Sequence, residues 1–279
     1  MHAVPELVIE AGHTERNYWR DLFRYRELFY FLAWRDVLVR YKQTVIGVLW
    51  AVLRPLLTMV VFTFVFGRIA KLPAEGVPYP VMVFAAMLPW QLFATSLSEG
   101  SGSLLNNANL ISKVYFPRLI VPASSVIVSF VDFAISMVLL AVVMAIYKVW
   151  PGWPILVLPV FTALALLASA GAGIWLAALT VKYRDFRYVV PFIVQFGLYV
   201  SPVGFTSNIV RQKLGETVFV LYSFNPMVGV IDGFRWSISN GKTPFPSQSL
   251  ELSLITIAIV LFTGIWYFRK TERTFADII

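Results

Sequence analysis

Arg40-Tyr41-Lys42-Gln43-Thr44-Val45-Ile46-Gly47-Val48-Leu49-Trp50 leads through Arg54-Pro55-Leu56 into Val61-Phe62-Thr63-Phe64-Val65-Phe66. A basic, aromatic, amphipathic segment turns there into an apolar run of membrane length. A chain with this pattern lies along a membrane surface and then enters the bilayer, where roughly 20 apolar residues cross about 30 Å of hydrocarbon. The fold class that follows is all-α integral membrane, because a helix satisfies its backbone polar groups within one segment.

The whole chain agrees with that stretch. Of its 279 residues, 58% are apolar and 14% are charged, against about 25% charged in a soluble domain. Mean hydropathy is +0.74. One soluble core cannot absorb so much apolar surface, whereas lipid can solvate it. The net charge of +8 in isolation suits nucleic acid. The basic residues cluster at the ends of apolar runs, however, which is the signature of membrane orientation, so no nucleic-acid partner is expected. There is no cysteine, which excludes disulfides, thiolate zinc sites and Cys nucleophiles. Glu6, Glu10 and Glu15 precede no short apolar core with a small-residue cleavage site, so no cleavable signal peptide is expected.

Residues 1–15 read as a cytosolic tail and 16–45 as an amphipathic helix. Tyr30, Ala33, Trp34, Val37, Leu38 and Tyr41 recur at helical spacing, while Arg16, Arg20 and Arg24 follow another stripe. Two placements fit: the membrane interface, aromatic side in the headgroups and basic side toward anionic lipid, or a face packed on another subunit. Six transmembrane helices are expected near 46–70, 80–99, 119–147, 154–181, 188–205 and 250–268, a six-span core over 46–268 with a tail at 269–279. The fifth is short and meets Ser201-Pro202 and Gly204. Between the last two spans, Val218–Tyr222 and Met227–Ile231 are apolar but too short to cross, and Gly215, Asn225-Pro226, Gly233, Gly241 and Pro244 break the segment. Short re-entrant or interfacial helices fit there, tolerable at membrane depth only where protein or a cavity surrounds them. An ordinary external loop is the other reading.

With the N-terminus inside, the segments on that side carry 15 Lys and Arg and the opposite side seven, with Arg54 inside a span. That bias places both termini in the cytosol.

The sequence holds no G-x-x-x-x-G-K-S/T phosphate loop, so ATP hydrolysis by this chain itself is not expected. His2 and His13 sit in the polar tail, and no carboxylate pair or metal set stands at a span end. No catalytic, cofactor or metal residues are therefore expected. The loop between the second and third spans runs from Gly100 through Asn106, Leu110, Ile111, Val114, Tyr115 and Phe116 to Pro117. A short helix with an apolar ridge fits a groove in a partner, or it is a turn at the interface. In Lys182-Tyr183-Arg184-Asp185-Phe186-Arg187, Arg184 and Arg187 anchor topology by charge, and Arg184 also suits a second partner contact. Arg54 and Asp132 are the charges within spans, and such residues are costly in hydrocarbon and often functional. They are weighed here as a pair, with snorkelling of Arg54 as the alternative. Trp50, Trp90, Phe93, Phe192, Phe196 and Tyr199 suit lipid and core packing. Ala168/Ala172, Ser169/Gly173 and Gly173/Ala177 are small-x-x-x-small pairs that allow close helix approach.

Arg40–Pro55, Asn106–Pro117, Tyr183-Arg184-Asp185 and Asn225-Pro226-Met227, in that order and spacing, resemble the permease subunits of ABC-type polysaccharide exporters, the family that moves lipid-linked O-antigen, teichoic acid or capsule glycans. The resemblance covers nearly the whole chain. It implies a homodimer in the inner membrane with two copies of a separate ATPase subunit that binds ATP and Mg. It implies that the 106–117 loop is the coupling helix, and that a lipid-linked glycan passes along the dimer interface through spans carrying Trp50, Trp90, Phe93, Phe192, Phe196 and Tyr199, which would stack on sugar rings, with Arg54, Arg211, Lys213 and Arg235 as candidates for the anionic lipid head. Permeases for drugs or small lipids, and a membrane-embedded glycosyl- or acyltransferase, are the alternative functions.

Overall fold

The structure is a computed structural model that describes residues 18–42, 45–74 and 76–275. The 1–15 tail, the residues of the amphipathic helix before Tyr18 and the last four of the C-terminal tail lie outside the described residues. The described residues form helices and connections without strands.

The N-terminal amphipathic segment is two helices, α1 (Tyr18–Arg24) and α2 (Arg26–Tyr41). The first span is α3 (Val45–Phe62), continued by a π-helical turn over Thr63–Ile69. Next come α4 (Tyr79–Asn106), the short α5 (Ala108–Lys113) and α6 (Ile120–Ile146). A 3-10 turn at Trp153–Val157 opens α7 (Leu158–Lys182), and α8 (Phe186–Val200) follows. The segment expected to be broken is α9 (Ser207–Leu214), α10 (Glu216–Ser223) and α11 (Pro226–Ile238), and α12 (Ser247–Thr271) closes the bundle.

Five of these helices, among the described residues, are long and apolar enough to cross a membrane. The fifth expected span, α8, has 15 residues and reaches only about 22 Å at 1.5 Å per residue. It stops at Ser201-Pro202 because Pro202 has no N–H with which to continue the helix. The chain then meets the α10–α11 pair, bent by 97° at Asn225. Asn225 caps α11 by accepting from the Met227 N–H at 3.0 Å, with Pro226 at the first helical position. Its Nδ2 donates to Ser201 Oγ at 3.0 Å, and Ser253 Oγ of α12 accepts from the Gly229 N–H at 3.0 Å. Polar groups at the bend are thus met by side chains, as any break at membrane depth requires.

Helix α4 is the axis. Of its most apolar window 83% is buried, against 11% for α3. It packs on α6, α7, α11, α8 and α3. Close crossings use glycine: Gly100 of α4 faces Gly173 of α7, and Gly171 of α7 faces Leu261 and Gly264 of α12. The small-residue pattern in α7 thus serves two neighbours, and Gly171, outside the expected pairs, makes the tighter contact. A second apolar cluster closes one end of the bundle, the base, where Tyr18, Leu32, Ile111, Phe116, Ala178, Phe268 and Phe275 meet. At the far end Trp153 of the 3-10 turn packs edge-on against Trp236 at the end of α11.

Candidate functional site

At the base, α5 divides its apolar residues between two directions. Ile111 and Phe116 are each 4% exposed, inside the basal cluster, and Pro117 is buried with them. Val114 and Tyr115 are exposed, Leu110 is half-buried, and Asn106 is the exposed last residue of α4. The ridge expected to face a partner therefore offers only its Val114–Tyr115 part. The turn at Pro117 folds Ile111 and Phe116 back as anchors. Arg184 is exposed in the next loop of the same end, beside exposed Tyr183.

The loop is wired to the N-terminal helices. Arg35 of α2 donates to Asn107 Oδ1 at 2.8 Å, and Asn107 is the residue that precedes α5. Five residues on, Arg40 pairs with Glu99 of α4 at 3.1 Å and Asp132 of α6 at 2.7 Å, while the Tyr41 hydroxyl also donates to Asp132. The Arg54–Asp132 pair weighed from sequence does not form: Asp132 belongs to Arg40, and Arg54 lies exposed on α3. At the other edge of the base, the Tyr18 hydroxyl donates to Glu272 Oε2 at 3.0 Å, Arg118 donates to the Glu272 carbonyl, and Arg269 sits over the Tyr18 ring. Burial first, then Glu272, hold the Tyr18 phenol well above its ordinary pKa, so it stays a donor at physiological pH.

The aromatic candidates separate into two groups. Trp90 and Phe93 of α4 are 4% and 7% exposed, with the Trp90 ring against Gly197 of α8, so they are core residues of the protomer. Trp50, Phe192, Phe196 and Tyr199 are exposed. On α8, Tyr188, Phe192, Gln195 and Tyr199 recur at i, i+4, i+7 and i+11, all exposed, with Phe192 and Phe196 stacked at 5.8 Å. On α3, Trp50, Arg54, Leu57 and Val61 repeat the same spacing and are also exposed, as is Phe64 in the π-helical turn that follows. Each of these helices thus carries one uncovered seam with a polar residue, Gln195 or Arg54, in line with apolar ones.

At the far end two of the expected anion-binding cations, Arg235 and Arg211, hold other partners. Arg235 is 3% exposed. It donates to the carbonyls of Phe205 at 2.8 Å, Val203 at 2.9 Å and Met82 at 3.4 Å, and lies 3.7 Å from Asp232. Its guanidinium replaces the helical hydrogen bonds that the Ser201–Thr206 break gives up, so it is a structural staple rather than an open anion site. Arg211 is paired with Glu216 at 2.9 Å, donates to Gln248 and stacks over Phe219. Lys213 is exposed at the end of α9. A polar cavity of about 120 Å³ lies between α9, α11 and the start of α12, with Phe245, Gln248, Asn208 and Asp232 on its walls. Sequence reasoning missed this cavity, because its walls come from separate breaks in the chain.

Residues 27–239 match the ABC-2 type transporter family. The chain is similar to the O-antigen export system permease protein RfbA of Myxococcus xanthus, 26% identical over 93% of this chain and 98% of that protein. It is similar to the protein of the same name from Klebsiella pneumoniae, 26% identical over 88% of this chain and 92% of that one. The polysialic acid transport protein KpsM of Escherichia coli is 19% identical over 86% of this chain and 91% of its own length.

Proposed function

Because this chain belongs to the ABC-2 type transporter family, we propose that it is the membrane subunit of an ATP-driven exporter of lipid-linked polysaccharide, of the O-antigen class. The chain acts as one transporter domain and is a transport subunit, not an enzyme. Similarity along nearly the full length of named O-antigen permeases supports the substrate class. The observation that carries the path is the pair of uncovered seams on α3 and α8, each with a polar residue in its apolar line. Lipid alone does not favour Gln195 or Arg54 there, whereas a second copy of the chain and a hydrated glycan do. Trp50, Phe192, Phe196 and Tyr199 offer sugar rings flat apolar faces without fixing their order, which suits a sliding polymer.

In this reading both termini face the cytosol, as the Lys and Arg distribution favours. Two separate ATPase subunits, which bind ATP and Mg, grip the Val114–Tyr115 edge and the Arg184 loop. Their closure moves α5, and Arg35–Asn107 passes that displacement to α2. Arg40, which ties α2 to α4 and α6, sets the angle of the amphipathic helix to the spans. Exposed Tyr30, Phe31 and Trp34 keep that helix in the headgroup layer of the inner membrane.

Co-expression with a nucleotide-binding subunit, co-purification, and ATP-dependent glycan transfer into vesicles test the reading. Labelling of Lys113 from the outer side of intact cells would refute it, because no cytosolic ATPase could then reach the loop.

A further inference from the structure

We infer that the far-end cavity binds one neutral sugar residue of the exported chain and holds it on the external side between transport strokes. This rests on the export reading above and adds a site to it.

Charge balance is the first ground. The two arginines on the cavity wall already hold partners, Arg211 the Glu216 carboxylate and Arg235 three backbone carbonyls, with Asp232 at 3.7 Å. An anion entering there must compete with those bonds and meets the Asp232 carboxylate on the wall. Phosphate and pyrophosphate are therefore disfavoured, although two cations line the space. The polar groups are the second ground. Asn208, Thr243, Ser247 and Gln248 carry amides and hydroxyls, groups that both donate and accept. A sugar hydroxyl also does both.

Shape is the third ground. Phe245 is 49% exposed and is held by Trp236, ring centroids 5.0 Å apart and planes at 80°. The edge-on contact leaves a Phe245 face for the apolar C–H side of a pyranose. Phe219 cannot serve equally, since the Arg211 guanidinium lies 4.0 Å over its ring. The volume of about 120 Å³ admits several waters and matches a single ring rather than a polymer segment. The wall is built by α9, the α10–α11 pair and the stretch from Thr243 to Ser249 that opens α12. A weak site of this kind opposes backsliding of the chain while the partner ATPases reset, and fast release keeps it from stalling export.

The test uses the full-length chain with its ATPase partner in nanodiscs. Methyl glycosides of mannose, galactose, glucose, rhamnose and N-acetylglucosamine are titrated by saturation-transfer NMR, with inorganic pyrophosphate as a separate probe. At least one glycoside should saturate with a dissociation constant on the order of 1 mM. Phe245→Ala and Gln248→Leu should each weaken it at least about fivefold, with pyrophosphate failing to compete at equal concentration. Melting temperatures of both variants are measured alongside, and Ser247→Val replaces any variant that melts early. Absence of saturable binding, binding unchanged in every folded variant, or displacement by pyrophosphate each overturns the inference. ATP-dependent glycan transfer by the same complex reconstituted into vesicles separates the two levels: transfer without sugar binding removes this site and leaves the export reading, while absence of transfer removes the export reading.

Discussion

Replacing Arg235 by Met tests whether a buried guanidinium supports the break at Ser201–Thr206. The wild-type side chain makes two close charge-assisted bonds, to Phe205 O at 2.8 Å and Val203 O at 2.9 Å, and a longer one to Met82 O. Hydrogen bonds to a charged group contribute about 1.5–3 kcal/mol each. Met fills similar volume but leaves those carbonyls unmet in the buried interior and takes the cation from Asp232. A loss of about 4 kcal/mol follows if only the two close bonds count, each near the middle of that range. For a chain of this size that lowers the melting temperature by on the order of 10 °C. Arg235→Lys keeps the charge but serves three carbonyls from one nitrogen, so it should fall between wild type and Met. Adding Asp232→Asn to the Met variant should recover part of the loss, since it removes the carboxylate that faced the guanidinium. The assay is thermal unfolding of the detergent-solubilised chain, read as the monodisperse fraction on size exclusion. A Met variant within about 2 °C of wild type, where on the order of 10 °C is expected, or a Lys variant identical to wild type, would refute the staple.

Other outcomes follow from the same contacts. Val114→Asp and Tyr115→Asp should abolish co-purification of the ATPase subunit with melting unchanged. Phe116→Asp, which buries a carboxylate in the basal cluster, should lower the melting temperature itself. Arg40→Ala should cost no more than about 1 kcal/mol, since its side chain is over a third exposed, yet slow glycan transfer by uncoupling α2 from the spans; normal transfer rates would count against the linkage. Any Cβ at position 264 would lie 2.4 Å from the Gly171 carbonyl oxygen, so Gly264→Ala should destabilise by about 1–3 kcal/mol, visible as a lower melting temperature. The Tyr18 phenol has a folded-state pKa above its unfolded value, so its contribution is complete below about pH 10 and is lost as pH rises further. Wild type should therefore lose stability above pH 10 more steeply than Tyr18→Phe in a melting profile.

Much of the architecture was legible because membrane insertion is a local property. Each long apolar run declared its own span. The breakers Asn225-Pro226 and Gly215 marked the ends of helices that are indeed short. Asn225-Pro226-Met227 carried the resemblance and also has a local reason, a capping side chain followed by proline at the first helical turn. Other residues were legible in type and not in role. Phe116 and Trp90 read as a partner contact and a path residue, since burial within the protomer leaves no mark on hydropathy. Arg235 read as an external cation because its three carbonyls are 30 to 153 residues away in the chain.

Composition and the order of apolar runs by themselves determined that this is a helical membrane protein with an amphipathic N-terminal segment and an interrupted stretch before its last helix. Those features depend on the free energy of moving short segments between water and lipid, which neighbouring residues set. Only the tertiary structure decided that Arg40 pairs with Asp132, that Arg235 holds a broken backbone together, and that a polar cavity opens beside Phe245. Charge pairing and enclosure depend on which helices meet, and Arg40 and Asp132 come together only when α2, α4 and α6 are assembled.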